Sequence, residues 1–186
     1  MESKAKVAGH AVHPMLIVFP LGLLATAVGF DLVTLIGGHP QWTVMAFYLI
    51  AVGVGGGLLA AVPGWIDWWA IPRGTRAKRI GLVHGGGNVA VLALFALSWV
   101  LRRPDPANPP TGAIVAALLA FGVSGVTAWL GGELVERLGV SVDEGAHLNA
   151  PSSLSSQPAA GRAGDRRRNI STGYRGIERR AASMAR

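Results

Sequence analysis

The sequence predicts an all-α membrane protein: a bundle of four antiparallel transmembrane helices with a disordered cytoplasmic C-terminal tail. Three observations carry this expectation: four apolar blocks of spanning length, charges gathered at their ends, and a last segment with little to bury. Of the 186 residues, 51% are hydrophobic and 15% charged, too apolar for an ordinary small soluble domain. Residues 15–38 carry one charge, Asp31, while residues 42–65, 80–101 and 111–132 carry none. Each block has roughly the 20 residues that cross a hydrocarbon core as a helix. A membrane strand would show about 10 residues of alternating pattern, which these blocks lack.

Residues 1–12 form a short basic lead, and the transmembrane domain covers residues 13–139. Its spans are expected at about 14–37, 42–65, 80–102 and 111–134. Gly37, Gly38 and Pro40 close the first span, since glycine accepts left-handed backbone and proline stops a helix. Pro63 and Gly64 should loosen the last turn of the second, where Trp65, Trp68 and Trp69 mark an interface. The prolines of residues 104–110 make a tight hairpin of spans 3 and 4. A signal peptide cleaved after Ala27 is the competing reading of the first span, but the apolar block runs on past it to spanning length.

Lys4 and Lys6 precede span 1; Arg73, Arg76, Lys78 and Arg79 separate spans 2 and 3; Arg137 and eight further arginines follow span 4. The opposite loops hold only Arg102 and Arg103. By the positive-inside rule both termini and the loop between spans 2 and 3 are cytoplasmic. Residues 140–186 are rich in Ser, Arg, Gly and Ala, cannot bury enough apolar area to offset their ordering entropy, and are read as disordered. Their charge suits the lipid surface better than a specific nucleic acid, because Tyr174 is the single aromatic there. The chain has no cysteine, which excludes disulfides and thiolate-ligated clusters.

His13 opens span 1, Asp67 closes span 2, His84 lies just inside span 3 and Glu133 closes span 4. Alternating helices bring all four to one face, and ionisable groups at membrane depth mark a candidate site. Imidazole and carboxylate are the usual ligands of first-row metals. His13 and His84 are therefore candidate ligands of a haem b or of a non-haem metal ion, with Asp67 and Glu133 as further metal ligands. Asn88, four residues after His84, and His10, three before His13, would support them from one helix face. Three readings stay open for the histidines: hydrogen-bonded packing, metal or haem ligation, and proton handling. The carboxylates have structural readings too, Asp67 near Arg73 and Arg76, Glu133 with Arg137. Asp31, far from this face, should pair with Arg102 or Arg103. Asp31 follows His13 by 18 positions, as Arg102 follows His84, so a parallel internal repeat is plausible. No phosphate loop, nucleophile elbow, dinucleotide fingerprint or HExxH motif is present, and no catalytic residue is assigned.

Four segments carry a resemblance: residues 13–22 (HPMLIVFPLG), 64–68 (GWIDW), 79–84 (RIGLVH) and 131–135 (GGELV). In this order they resemble a bacterial family of four-helix integral membrane proteins with no assigned function, over about residues 9–150. The resemblance implies a multi-pass protein of the bacterial cytoplasmic (inner) membrane, with some members associated with Rieske-type or cytochrome-like redox proteins and hence a redox protein as partner. Glu136 and Leu138 depart from the aromatic or basic residues expected there. Two functional classes follow. One is a metal- or haem-binding, redox-associated membrane subunit. The other is a structural or assembly subunit whose polar cluster packs helices or docks a partner.

Overall fold

A computed structural model describes residues 1–157. The tail expected to be disordered lies outside the described residues from 158 onward. A two-residue hairpin of β1 (Lys6–Val7) and β2 (His10–Ala11) leads into α1 (Val12–Leu16) and α2 (Val18–Gly37). Then come α3 (Gln41–Ala70), α4 (Arg76–Arg102) and α5 (Thr111–Gly132), the last continued by a π-helical turn over Glu133–Arg137. The four spans are Val12–Gly37, Gln41–Ala70, Arg76–Arg102 and Thr111–Arg137, of 26, 30, 27 and 27 residues.

Local chemistry explains where each element begins and ends. Pro20 lacks an N–H and its ring crowds the carbonyl four residues back, at Leu16, where α1 gives way to α2. Gly38 ends α2 in the left-handed region, φ +69°, and donates its N–H to Thr34. The second span was expected to close near residue 65, yet α3 continues through Pro63 to Ala70. Lys78 explains the extra turn: its ammonium donates to the Trp68 and Trp69 carbonyls at 2.7 and 3.3 Å, satisfying groups that a helix end leaves bare. The third span begins at Arg76, before the expected residue 80, because Thr75 caps it by accepting the Lys78 N–H at 3.1 Å.

Helix α2 packs on α3 and α5, and α4 packs on α3 and α5, so α2 and α4 face each other across the bundle. The core between them is drawn from all four helices, with Val28, Ile50, Phe95 and Ala117 buried. Close approach depends on small residues: a Cβ on Gly57 would lie 2.5 Å from Leu92, and one on Gly53 would lie 2.7 Å from Leu24. Most large apolar side chains point outward instead, among them Ile36, Leu59, Val62, Val83 and Val126. In water that surface would drive aggregation; in a bilayer it is the lipid face.

Two ionic features flank the core. At one end Arg102 grips Asp31 with both terminal nitrogens, at 2.7 and 2.5 Å, and both side chains are fully buried. Its Nε donates to Ser98 Oγ at 3.1 Å, and Ser98 donates in turn to the Ala113 carbonyl at 2.6 Å. The partner expected among Arg102 and Arg103 is thus Arg102. At the other end the lead runs beneath the bundle. Lys6 reaches Glu2 at 3.0 Å and Asp143 at 2.5 Å, Met1 N donates to Gly139, and Ser141 N donates to Met1. Asp143 and Glu2 hold the Lys6 ammonium above its ordinary pKa, and Lys6, with the Glu144 N–H, holds Glu2 below its own. Packing therefore continues beyond residue 139, through buried Val140 to Asp143.

Candidate functional site

His13 sits on the five-residue α1 and His84 two turns into α4. These segments lie on opposite sides of the bundle, and the two imidazoles meet near its axis. Their ring centroids are 6.4 Å apart with planes at 90°. His13 Nδ1 lies 2.8 Å from the Ala60 carbonyl of α3, and His84 Nδ1 lies 2.8 Å from the Thr127 carbonyl of α5. A carbonyl can only accept, so each Nδ1 carries the proton in the neutral ring. Each Nε2 is then left with a free lone pair.

The two half-sites share one construction. Gly64 stands four residues after Ala60, and Gly131 four residues after Thr127. A Cβ on Gly64 would lie 2.9 Å from His13 Nδ1, and one on Gly131 would lie 3.1 Å from His84 Cε1. The halves differ in one respect. Asn88 donates to the His84 carbonyl at 2.9 Å, and its Oδ1 accepts from Thr127 Oγ1 at 3.1 Å. The Asn88 amide nitrogen is 3.5 and 3.3 Å from the two ring nitrogens of His84. Such near-equal distances place it over the ring face rather than on either lone pair. Counting 71 residues back from Asn88 gives Ile17, so His13 has no matching amide.

The other residues singled out from sequence are held elsewhere. Asp67 is buried, but neither Arg73 nor Arg76 reaches it. Ser3 Oγ donates to its two oxygens at 2.8 and 2.7 Å, and the N–H groups of Lys4 and Ala5 donate to Oδ1 at 2.7 and 3.2 Å. Glu133 pairs with Arg76 of α4 at 2.7 Å rather than with Arg137. The π-helical turn that begins at Glu133 gives that stretch a winding different from the α-helical one assumed for an i,i+4 pair. His10 does not share a helix face with His13. The tight turn at Ala8 and Gly9, φ +50° and +80°, places His10 in β2, exposed, near Ala8 O and Ser153 Oγ. Among the described residues no three His, Cys, Asp or Glu side chains come close enough to hold a metal ion together. The four-ligand set of His13, His84, Asp67 and Glu133 is therefore not assembled; the two carboxylates are spent on the lead and on Arg76.

Sequence reasoning missed the supporting groups. Ser3, the Ala60 and Thr127 carbonyls, and the roles of Gly64 and Gly131 all depend on contacts between distant segments. The available signal was a glycine shortly before each acid, three positions before Asp67 and two before Glu133. The aromatic belt at this end was legible: Trp65 and Trp69 are exposed, and Lys78 stacks 3.9 Å above the Trp68 ring.

Neither a curated protein nor a solved structure matches this chain. The family with which it shares residues 9–144 covers all four spans and both histidines, and is described as a predicted membrane protein of uncharacterised domain type. The chain belongs to that family, DUF2231.

Proposed function

We propose that this membrane protein holds a metal centre between His13 and His84, at the cytoplasmic face of a bacterial inner membrane. The observation that carries the reading is the matched pair of imidazoles, each fixed through Nδ1 and each left with a bare Nε2. A metal-ligating histidine commonly donates its other ring N–H to a carbonyl, which fixes both tautomer and orientation. The ring separation of 6.4 Å also suits the reading. Two imidazoles facing one metal at about 2.0–2.1 Å per bond would place their centroids about 6.3 Å apart.

Two protein donors are too few for a bare ion, which usually takes four or more ligands. They suit a flat macrocycle that brings four nitrogens of its own, so a haem of b type fits the donor set better than a non-haem ion. Gly85 and Gly86, next to His84 in sequence, have nothing within 4 Å of an added Cβ, so the α4 surface is open there. Such a group, when bound, supplies one-electron chemistry. The protein's part is to orient two imidazoles and to present the site at one membrane face to a redox partner. That face is assigned to the cytoplasm from the Lys/Arg excess in the lead, in residues 73–79 and after residue 137.

The second reading, a structural or assembly subunit, is favoured by Asp67 and Glu133, both of which tie segments of the bundle together. Haem and metal content of wild type, His13→Ala and His84→Ala, purified in the same detergent, separates the two. The ligand reading expects either substitution to lower bound cofactor by tenfold or more while helicity is kept. Equal content in all three preparations would assign the histidines to packing.

A further inference from the structure

We infer that Gly64 and Gly131 are matched positioning residues for His13 and His84: each keeps open the carbonyl one helical turn before it, so that an imidazole can dock there through Nδ1. This rests on the histidine pair described above, but it concerns the rings themselves, whether or not a metal is bound.

On an α-helix the side chain at position i+4 lies next to the carbonyl of residue i, over the same face. A ring approaching that carbonyl from a neighbouring helix must pass this side chain. At both histidines the position is glycine. The docking distance is the same, 2.8 Å, on α3 and on α5. The clearances differ. An added Cβ at 64 would sit 2.9 Å from Nδ1, 3.1 Å from Cε1 and 3.4 Å from Cγ of His13, an approach that real Cβ atoms do not make. At 131 the nearest atom is His84 Cε1 at 3.1 Å, with Nδ1 at 3.5 Å, so the docked ring must give by a few tenths of an ångström.

Packing alone does not account for the choice. Gly55 of α3 and Gly122 and Gly125 of α5 lie in the same helices with nothing within 4 Å of an added Cβ, whereas Gly64 and Gly131 are closed specifically by histidine rings. The neighbour that excludes the methyl group is in each case the same chemical group, held to the same kind of acceptor. With the Nδ1 docked, the proton is fixed there and the Nε2 of each ring is bare. Loss of the dock frees the ring to take either tautomer.

The test is 15N NMR of histidine-labelled full-length protein in detergent, purified without added haem or metal and washed with a chelator. Wild type should show both His13 and His84 as the Nδ1–H tautomer. Gly64→Ala should move His13 to the mixture of tautomers typical of a free imidazole and leave His84 unchanged. Gly131→Ala should produce a smaller displacement confined to His84, and Gly55→Ala should change neither. Gly131→Ala, with the milder clash, keeps the test decisive if Gly64→Ala fails to fold. Retention of the Nδ1–H tautomer by the affected ring in a folded alanine variant would overturn the inference. Haem or metal content measured on unwashed samples is a separate readout: if the tautomers respond as expected but no cofactor is found, the positioning role stands and the ligand reading falls.

Discussion

Replacing Arg102 by Met should destabilise the protein by about 3–5 kcal/mol, because it leaves the Asp31 carboxylate buried without its countercharge. Both side chains are fully buried, so no water is at hand to take the place of the guanidinium. Three hydrogen bonds go at once: the bidentate pair to Asp31 and the one from Nε to Ser98. The cost belongs to the orphaned charge more than to the lost attraction. A double variant, Asp31→Leu with Arg102→Met, should therefore recover most of the stability, since removing both ions also removes both desolvation penalties. Reversible unfolding of the two variants in detergent checks this. If single and double variants lose the same amount, the pair contributes as shape rather than as charge. The His pair lies at the opposite end, so its properties should be preserved in the double variant.

The second large effect is expected at Asp67, and there the outcome depends on the replacement. Asp67→Ala removes the acceptor for Ser3 Oγ and for the Lys4 and Ala5 N–H groups. Each buried donor left bare costs roughly 1–3 kcal/mol, which is enough to release the lead. Asn can rebuild the same set. Its carbonyl oxygen can accept from Lys4 and Ala5, as Oδ1 does now, and its amide can donate to Ser3 Oγ. The Ser3 hydroxyl is then free to donate only to Ala5 O, which it already approaches at 3.1 Å. Asp67→Asn should thus behave nearly as wild type, while Asp67→Ala should raise hydrogen exchange over residues 2–11 by tenfold or more. Equal exchange in the alanine variant would show that the lead is held by Lys6, Glu2 and Asp143 alone. A strong effect of Asn would show that charge, not hydrogen-bond geometry, matters at Asp67.

How far the sequence could be read follows from the range of each interaction. The four spans are local facts: a run of about 20 apolar residues has few other places to go. The pairing of Asp31 with an arginine and the approach of His13 to His84 were also legible, because alternating spans bring residues of like depth to one face. Partners chosen by folding were out of reach. Glu133 had a plausible neighbour at Arg137 on its own helix, but a π-helical turn and a nearby α4 gave it Arg76 instead. Asp67 had arginines within ten residues in sequence, yet its hydrogen bonds come from Ser3, Lys4 and Ala5, more than 60 residues away. His10 failed for a local reason, since a hairpin turn at Ala8 and Gly9 keeps the helix from extending back to it. The glycines of the histidine seats were visible as letters, but their role needed the rings in place.

The paired imidazoles are the centre of the functional reading, and the absorption spectrum of the protein as isolated addresses them most directly. Full-length wild type, expressed with ample haem and iron and purified in mild detergent, is measured oxidised and then reduced by dithionite. The account predicts a Soret band with sharpened α and β bands on reduction, the signature of an iron held by two imidazoles, at about one haem per chain. A colourless, metal-free protein that remains fully helical and thermally stable would contradict it.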